Sequence, residues 1–206
     1  MRLVVGMTGA TGAAIGIRML EALREAGVET HLIISRWGRS TISHETERTT
    51  REVAALADYA YSPDDQAAPI SSGSFPTDGM IIAPCSMKTI AGIRMGYGDG
   101  LIGRAADVTL KESRPLVLMA RETPLSSIHL DNLLALARAG ATIMPPVPAF
   151  YQQPATIDDL IEQTVMRALD QVGIAVPLSE RWTGTRPAPA LSEAPAKPVR
   201  HSTSIH

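Results

Sequence analysis

The sequence predicts an α/β fold: a Rossmann-like, doubly wound parallel sheet in three αβα layers, within a single domain. Short apolar runs without polar alternation recur along the 206 residues, as expected of strands that helices cover on both faces. Stretches with the apolar spacing of a helix separate these runs. In such a sheet the ligand lies beyond the carboxyl ends of the strands, so candidate functional residues are sought there.

A β-α-β unit opens the chain. Residues 2–6 are a β-branched and apolar run that predicts a strand, and residues 13–26 show the helical spacing of apolar side chains. Gly27 closes this helix, because glycine is favoured just past a helix C-terminus. Residues 28–34 predict the second strand.

The same alternation continues along the chain. Further strands are predicted at residues 78–84, 116–120 and 141–144, and further helices at residues 86–94, 101–112 and 127–139. A last long helix begins at Thr156, a favoured capping residue that acidic side chains follow in the first turn. Residues 62–77 are rich in Asp, Pro, Ser and Gly and predict a long loop, and long loops in compact domains are often functional.

We expect the folded domain to span residues 1–182. A chain of 206 residues is long enough for one sizeable core and too short for two. Residues 183–206 combine several prolines with small and polar side chains, and such a segment buries too little apolar surface to offset the entropy of ordering. A disordered tail is therefore predicted after Trp182.

Composition excludes several classes of function. The chain has 19 basic and 21 acidic residues and a net charge of −2, so it has no basic surplus for binding nucleic acid or an anionic membrane. No apolar run approaches the roughly 18 residues of a membrane span. The single cysteine, Cys85, cannot form an intrachain disulfide, which fits a reducing cytoplasm. The histidines lack the spacing of metal ligands, so no metal site is predicted.

A glycine-rich turn, residues 6–12, joins the first strand to the first helix. Backbone N–H groups at such a turn and at the helix start favour an anion such as a phosphate. The spacing differs from the dinucleotide motif, and Ser35 and Arg36 follow the second strand where an NAD enzyme has an acid. NAD is therefore disfavoured, while Arg36 leaves an NADP reductase as a competing interpretation.

A second turn of the same kind lies at residues 84–89. It follows a strand, opens a helix and adds two hydroxyls and a lysine to the free N–H groups. Each turn alone is compatible with an ordinary cap, but two of them together suggest one phosphorylated ligand. We expect Cys85, within this turn, to be a small buried residue rather than a nucleophile.

Charged side chains flank the strand at residues 116–120. Arg104 and Lys111 lie seven residues apart and so share a helix face, which in most proteins is simply solvated. Arg121 and Glu122 follow the strand directly, at the ligand edge of the predicted sheet. This position makes Glu122 a candidate acid-base group.

Three further features complete the candidate site. The segment at residues 71–75, Ser-Ser-Gly-Ser-Phe, offers hydroxyls and backbone donors. The proline-rich loop at residues 144–151 holds Tyr151 at the rim, and Arg167 follows in the last helix. A tyrosine and an arginine suit a second phosphate, although a core tyrosine and a surface arginine are the simpler explanation for either residue alone.

Taken together, these segments resemble the UbiX/Pad1 flavin prenyltransferases, including the B subunits of hydroxyarylic acid decarboxylase systems. The resemblance covers residues 1–182 and rests on the following stretches: MTGATG, His44-Glu45-Thr46, SSGSF, PCSMKT, RAADVTLKE, PLVLMARETPLS, GATIMPPVPAFYQQP and Arg181-Trp182. The tail lies beyond the family pattern.

The resemblance implies a homododecameric, Rossmann-like flavoprotein. It would join the dimethylallyl group of dimethylallyl phosphate to N5 and C6 of reduced FMN, without a metal. The product, prenylated FMN, is the cofactor of UbiD-type decarboxylases, so transient delivery to such an enzyme is expected.

The resemblance also implies roles for single residues. The expected FMN contacts are Gly9, Ala10, Thr11, Ser35, Ser86, Met87, Lys88, Thr89 and Arg121. Dimethylallyl phosphate would be held by Arg104, Lys111, Tyr151 and Arg167. The catalytic group would comprise Glu122, Glu45, Lys111 and Arg104, with Glu45 close to the reacting flavin. Such cations suit the chemistry, because an allylic phosphate ionises when the leaving oxygen anion is stabilised.

Two other classes of function stay open at this point. An FMN-dependent decarboxylase related to the cysteine decarboxylases would share the fold, but no catalytic histidine is found in an equivalent place. A non-catalytic flavin carrier, acting as accessory subunit of an aromatic acid decarboxylase, is the third possibility. The complete set of charged residues argues against a mere carrier.

Overall fold

The computed structural model describes residues 1–179, 181 and 184. Apart from Gly184, the predicted tail at residues 183–206 lies outside the described residues, as does Trp182. The boundary of the folded domain at residue 182 therefore stays a prediction.

Strands and helices alternate along the chain. The strands are β1 (Arg2–Met7), β2 (Glu29–Ile34), β3 (Tyr59–Tyr61), β4 (Gly79–Cys85), β5 (Leu116–Ala120) and β6 (Thr142–Ile143). The helices are α1 (Ala13–Glu25), α2 (Arg36–Glu45), α3 (Thr50–Ala54), α4 (Met87–Arg94), α5 (Leu101–Lys111), α6 (Ser127–Arg138) and α7 (Ile157–Asp170). Short 3-10 turns lie at Pro69–Ser71 and Phe150–Gln152.

The six strands form one parallel sheet in the order β3-β2-β1-β4-β5-β6. From β1 the chain builds outward to β2 and β3, and then crosses to β4 on the other side of β1. The order therefore reverses between β1 and β4, and the carboxyl ends of these two strands flank the crevice in which doubly wound sheets bind ligands. The predicted fold class is confirmed.

Each face of the sheet carries its own apolar core. Alternate side chains of a strand point to opposite faces, so Leu3 and Val5 pack with α1 and α7, whereas Val4 packs on the side of α4, α5 and α6. Leu20 and Met166 are typical of the first core and Ile90 of the second, and all three are buried. Helices on both faces explain why the strands lack polar alternation.

Three elements of the structure were not predicted from the sequence. Helix α2 buries only Gly38 and Ile42, so it has no apolar stripe that a sequence pattern would reveal. Helix α3 has five residues and the edge strand β3 has three, too few for a periodicity. The predicted strand at residues 141–144 is shorter than expected, since β6 has only two residues.

The last helix confirms the predicted cap. The Thr156 hydroxyl accepts a hydrogen bond from the Asp159 N–H, and the Asp159 carboxylate accepts one from the Thr156 N–H. Within the described ranges, no helix is long and apolar enough to cross a membrane.

Candidate functional site

The two predicted turns lie side by side at the carboxyl edge of the sheet, where Thr8 joins them. The Thr8 hydroxyl donates to the Pro84 carbonyl at 2.9 Å and accepts from the Ser86 N–H at 2.8 Å. A third bond runs from the Thr8 N–H to the Pro84 carbonyl at 3.1 Å. Thr8 is buried and was not singled out by its sequence pattern, because a threonine in a glycine-rich turn has no distinctive signal.

Two glycines shape the first turn. A Cβ atom at Gly9 would lie 2.3 Å from the Trp37 Cβ, so only glycine lets α2 approach the turn this closely. Gly12 has a φ angle of 107°, in the left-handed region that glycine adopts at little cost. The side chain of Trp37 is largely exposed beside the turn.

Glu45 occupies the start of helix α1. Its carboxylate accepts from the N–H groups of Gly12 and Ala13, both at 2.9 Å. Burial acts to raise the pKa of Glu45, but hydrogen bonds from Thr11, Ala13 and Gly12 outweigh it and hold the pKa below its ordinary value. The expectation that this helix start offers free donors to a phosphate is therefore wrong for Gly12 and Ala13.

The second turn keeps free donors. The Ser86 hydroxyl accepts from the Thr89 N–H at 3.4 Å and shares a hydrogen bond with the Thr89 hydroxyl at 3.1 Å. Among the residues that the structure describes, none accepts from the N–H groups of Met87 and Lys88. The first N–H groups of a helix have no intrahelical partner, so these two are available to an anion.

Ser35 has a structural role in this chain. Its hydroxyl caps α2 by accepting from the Gly38 N–H at 3.0 Å, and its N–H donates to the Met7 carbonyl at 2.9 Å. The residue thus connects the end of β1 to the start of α2. It lies at the predicted edge, next to the glycine turn.

Arg121 and Glu122 also lie at the carboxyl edge. The Arg121 N–H donates to the Cys85 carbonyl at 3.1 Å, which ties the end of β5 to the second turn. Glu122 is exposed, and its carboxylate accepts from the Thr123 N–H at 3.1 Å. Cys85 is buried, which raises the pKa of its thiol, so the expectation of a small buried residue is confirmed.

Lys111 lies at the opposite edge of the sheet, away from Glu122. It is the last residue of α5, and Arg114 precedes the amino end of β5. The five residues of β5 separate the two edges by roughly 16 Å at about 3.3 Å per residue. The expectation that Glu122 sits beside Lys111 is therefore wrong within one chain, because Lys111 ends α5 just before the amino end of β5.

Arg104 faces the loop before β4. Its guanidinium donates to the Ser71 carbonyl at 2.9 Å and pairs with Asp107 at 2.7 Å. Because Arg104 and Lys111 share a face of α5, both reach the Ser-Ser-Gly-Ser-Phe segment rather than the glycine turn.

Arg167 lies far along α7. Asp158 and Ile161, near the start of α7, line a cavity of about 350 Å³ together with Ala14 and Ile17 of α1, so the two helices begin at the same edge. Arg167 is nine residues beyond Asp158, or about 14 Å along the helix. It pairs with Asp170 at 3.0 Å.

Tyr151 belongs to the 3-10 turn at Phe150–Gln152, in the loop that follows β6, and is exposed. Within one chain the structure thus brings together the two turns, Ser35, Arg121 and Glu122, but it does not bring Lys111 or Arg167 to them. In the described part of the chain, no group of three or more His, Cys, Asp or Glu residues is arranged to hold a metal ion.

Comparisons with known proteins identify relatives of this chain. The flavoprotein family model matches residues 1–169. A probable UbiX-like flavin prenyltransferase of Escherichia coli O157:H7 is 59% identical over 194 residues, which are 94% of this chain and 98% of that protein. The mitochondrial flavin prenyltransferase PAD1 of Saccharomyces cerevisiae is 57% identical over 185 residues, 90% of this chain and 76% of that one.

Solved structures show the same likeness. AnUbiX (PadA1), in complex with FMN and dimethylallyl pyrophosphate, has a TM-score of 0.89 and 57% identity, covering 90% of this chain and 98% of that chain. A dodecameric FMN-dependent UbiX-like decarboxylase from Escherichia coli O157:H7 has a TM-score of 0.88 and 61% identity, covering 89% of this chain and 100% of that chain. The chain belongs to the flavoprotein family and, within it, to the UbiX-like flavin prenyltransferases.

Proposed function

We propose that this enzyme joins the dimethylallyl group of dimethylallyl phosphate to N5 and C6 of reduced FMN. The observation that carries the proposal is the match to AnUbiX, a relative with 57% identity whose structure holds FMN and dimethylallyl pyrophosphate. The two turns joined by Thr8 support it, because they lie at the switch point of the sheet and the second turn keeps free N–H donors that suit a phosphorylated ligand.

The residues at the carboxyl edge fit FMN. The free N–H groups of Met87 and Lys88 and the Lys88 ammonium suit a phosphate dianion. We propose that FMN is held by Gly9, Ala10, Thr11, Ser35, Ser86, Met87, Lys88, Thr89 and Arg121. Since Glu45 already binds the start of α1, the phosphate is expected at the second turn instead.

The acid-base role falls to Glu122. When bound, reduced FMN supplies the nucleophilic atoms. Glu122 is an exposed carboxyl group at the same edge, next to Arg121, where it can deliver a proton to the departing phosphate and later accept one. We assign Glu45 a second catalytic position, close to the flavin, which its contact with the glycine turn supports.

The prenyl phosphate site is proposed to lie between copies of the chain. Arg104, Lys111 and Arg167 are cations suited to a leaving phosphate, but Lys111 lies at the amino edge, across roughly 16 Å of β5 from Glu122. A lysine side chain cannot span that distance. We therefore propose that a homo-oligomer, a dodecamer as in the Escherichia coli relative, brings Lys111, Arg104, Arg167 and Tyr151 to Glu122 of neighbouring copies.

The proposal also covers the delivery of the product and the cellular location of the enzyme. We propose that prenylated FMN passes transiently to a UbiD-type decarboxylase, and that the enzyme acts in the cytoplasm. The motifs shared with UbiX/Pad1 enzymes support the delivery, and the single cysteine fits a reducing compartment such as the cytoplasm.

An alternative function is FMN-dependent decarboxylation, because the dodecameric Escherichia coli relative of known structure is named a decarboxylase. One experiment separates the two. The protein is incubated without oxygen with FMN, a reductant and dimethylallyl phosphate, and the extracted flavin is analysed by mass spectrometry. Prenyl transfer adds one C5H8 unit to FMN, whereas a decarboxylase leaves the flavin mass unchanged.

A further inference from the structure

The segment Ser71–Phe75, called the serine segment below, is held by cations from α5 and from the residues after it. It lies in the loop before β4 and has no regular secondary structure beyond one short 3-10 turn at its start. Its sequence suggested hydroxyl donors for a ligand, but the proposed flavin site lies at the other edge of the sheet. The contacts of this segment therefore call for a separate explanation.

Arg114 is the main anchor of the serine segment. Its guanidinium donates to the Gly73 carbonyl at 2.8 Å, to the Phe75 carbonyl at 3.0 Å and to the Thr77 hydroxyl at 3.2 Å. A planar guanidinium can serve two carbonyls at once, which the single ammonium group of lysine cannot do with the same geometry. Arg114 thus fixes the path of the backbone on both sides of Ser74.

The carbonyls and the hydroxyls of the segment have separate partners. Arg104 binds the Ser71 carbonyl at 2.9 Å, so guanidinium groups bind the carbonyls of three alternate residues. The hydroxyls of Ser72 and Ser74 bind each other at 2.8 Å, and both residues are exposed. The segment is therefore an ordered surface feature rather than a flexible loop.

Gly73 is in direct contact with Lys111. A Cβ atom at this position would overlap the ends of the Glu112 and Lys111 side chains and would displace them. The Lys111 ammonium in turn donates to Glu112. The missing side chain of Gly73 thus leaves the space beside the segment that the Lys111–Glu112 pair occupies.

We infer that Arg114 is a positioning residue for Lys111. Its hydrogen bonds to the carbonyls of Gly73 and Phe75 hold the Gly73 backbone beside the Lys111–Glu112 pair and so determine the position of the Lys111 ammonium. This inference rests on the proposed function, in which Lys111 binds the prenyl phosphate. Arg114 itself does not touch the substrate.

The first test replaces Arg114 by Met and by Lys, and Gly73 by Ala, which adds the excluded Cβ atom. The matched control is Arg138→Met, an exposed arginine at the end of α6. With FMN saturating, we expect Arg114→Met and Gly73→Ala to raise KM for dimethylallyl phosphate by about 10-fold or more, the loss typical of a hydrogen bond to a charged group. Arg114→Lys should be intermediate, and FMN affinity and Arg138→Met should stay near wild type.

A second test does not depend on activity. The rate at which acetic anhydride modifies Lys111 is measured by mass spectrometry, with Lys88 as the internal reference. Arg114→Met should change the ratio of the Lys111 and Lys88 rates, because the Lys111–Glu112 pair loosens. An unchanged ratio would overturn the inference. It would also be overturned if Lys111→Met raises KM while Arg114→Met and Gly73→Ala both leave KM unchanged. If Lys111→Met leaves KM unchanged, the proposed role of Lys111 fails, and the modification rates alone decide the role of Arg114.

Discussion

At the residue scale, the carboxylate of Glu45 shows how a side chain of this protein substitutes for a ligand. It binds two N–H groups at the start of α1, a place where doubly wound folds commonly bind phosphate. Anions at helix starts are stabilised by the helix dipole, so this contact also stabilises the glycine turn.

Replacing Glu45 by Gln tests this capping role. The variant keeps an oxygen acceptor but loses the charge, and solvent screening of this exposed side chain limits the expected loss to about 0.5 kcal/mol at pH 7. The folded state lowers the pKa of Glu45, so its contribution is complete above the ordinary glutamate pKa and disappears as pH falls through the lowered value. Urea unfolding from pH 7 to pH 3 should show wild type converging on the variant. The control is Glu47→Gln, and equal curves at all pH values would contradict the account.

A buried histidine shows how a hydrogen-bond network fixes a tautomer. A hydrogen bond from Arg2, joined by one from His31, lowers the pKa of Glu29 to about 2, so this carboxylate can only accept. It lies 2.9 Å from His31 Nε2, which must therefore carry a proton. In neutral His31 the other nitrogen, Nδ1, then accepts from the Tyr61 hydroxyl at 2.8 Å.

Removing the Tyr61 hydroxyl should consequently destabilise the fold. Tyr61→Phe leaves Nδ1 of a buried histidine without a donor, which typically costs about 1–3 kcal/mol of unfolding free energy. Tyr59→Phe is the matched control, because Tyr59 stacks on the same ring but is half exposed. Urea unfolding at pH 7 measures both variants. Equal losses in the two would show that the Tyr61 hydroxyl contributes nothing specific.

Glu122 carries the proposed proton transfer. Glu122→Gln keeps the shape and the acceptor for the Thr123 N–H, but it cannot exchange a proton. We expect FMN to stay bound while prenyl transfer slows by about 10²- to 10⁴-fold, the usual loss of general acid-base assistance. Single-turnover assays without oxygen, at matched FMN occupancy, measure this. A rate within about twofold of wild type would leave the mechanism without its acid.

At the element scale, one side chain makes two of the three hydrogen bonds that Thr8 forms between the two turns. Thr8 accepts from the part-buried Ser86 N–H and shares the Pro84 carbonyl, so Thr8→Val leaves the N–H without this acceptor. We expect a loss of about 1–3 kcal/mol of unfolding free energy and weaker FMN binding. Thr8→Ser keeps the hydroxyl and should retain most of both. Fluorescence titration with FMN and urea unfolding provide the two measurements, and a valine variant that behaves like the serine variant would contradict this account.

Elements with an apolar signature were predictable and the others were not. The strands β1, β2, β4 and β5 and the long helices carry apolar residues at the period of their structure. Helix α2 buries few side chains, and it is joined to the site by two single contacts. Trp37 packs against Gly9, and Glu45 binds the start of α1. Such contacts depend on tertiary position, which no local pattern records.

The candidate site shows the same limit. The spacing of Arg104 and Lys111 correctly predicted a shared helix face, but a spacing does not say at which edge of the sheet the face ends. Lys111 closes α5 just before β5 begins, and this position in the chain already indicates the amino edge. The turns at residues 6–12 and 84–89 were predictable, because both follow a central strand directly.

At the scale of the whole molecule, the two edges of the sheet carry different parts of the proposed site. The flavin residues and Glu122 lie at the carboxyl edge, whereas Lys111 lies at the amino edge. In the proposed site, Lys111 of one copy completes the site of another, so prenyl transfer is expected to require assembly. The serine segment, held by Arg114, lies next to Lys111.

The most direct test of a shared site is complementation between two variants. Glu122→Gln and Lys111→Met are each purified, found to be impaired in prenyl transfer, and then co-expressed so that mixed oligomers form. In a shared site, Glu122 of one copy meets Lys111 of another, so random mixing should restore about one quarter of the sites to the wild-type set. Activity per flavin in the mixed oligomer should then far exceed that of either parent. Activity no higher than the average of the two parents would show that each chain contains a complete site and would contradict this account.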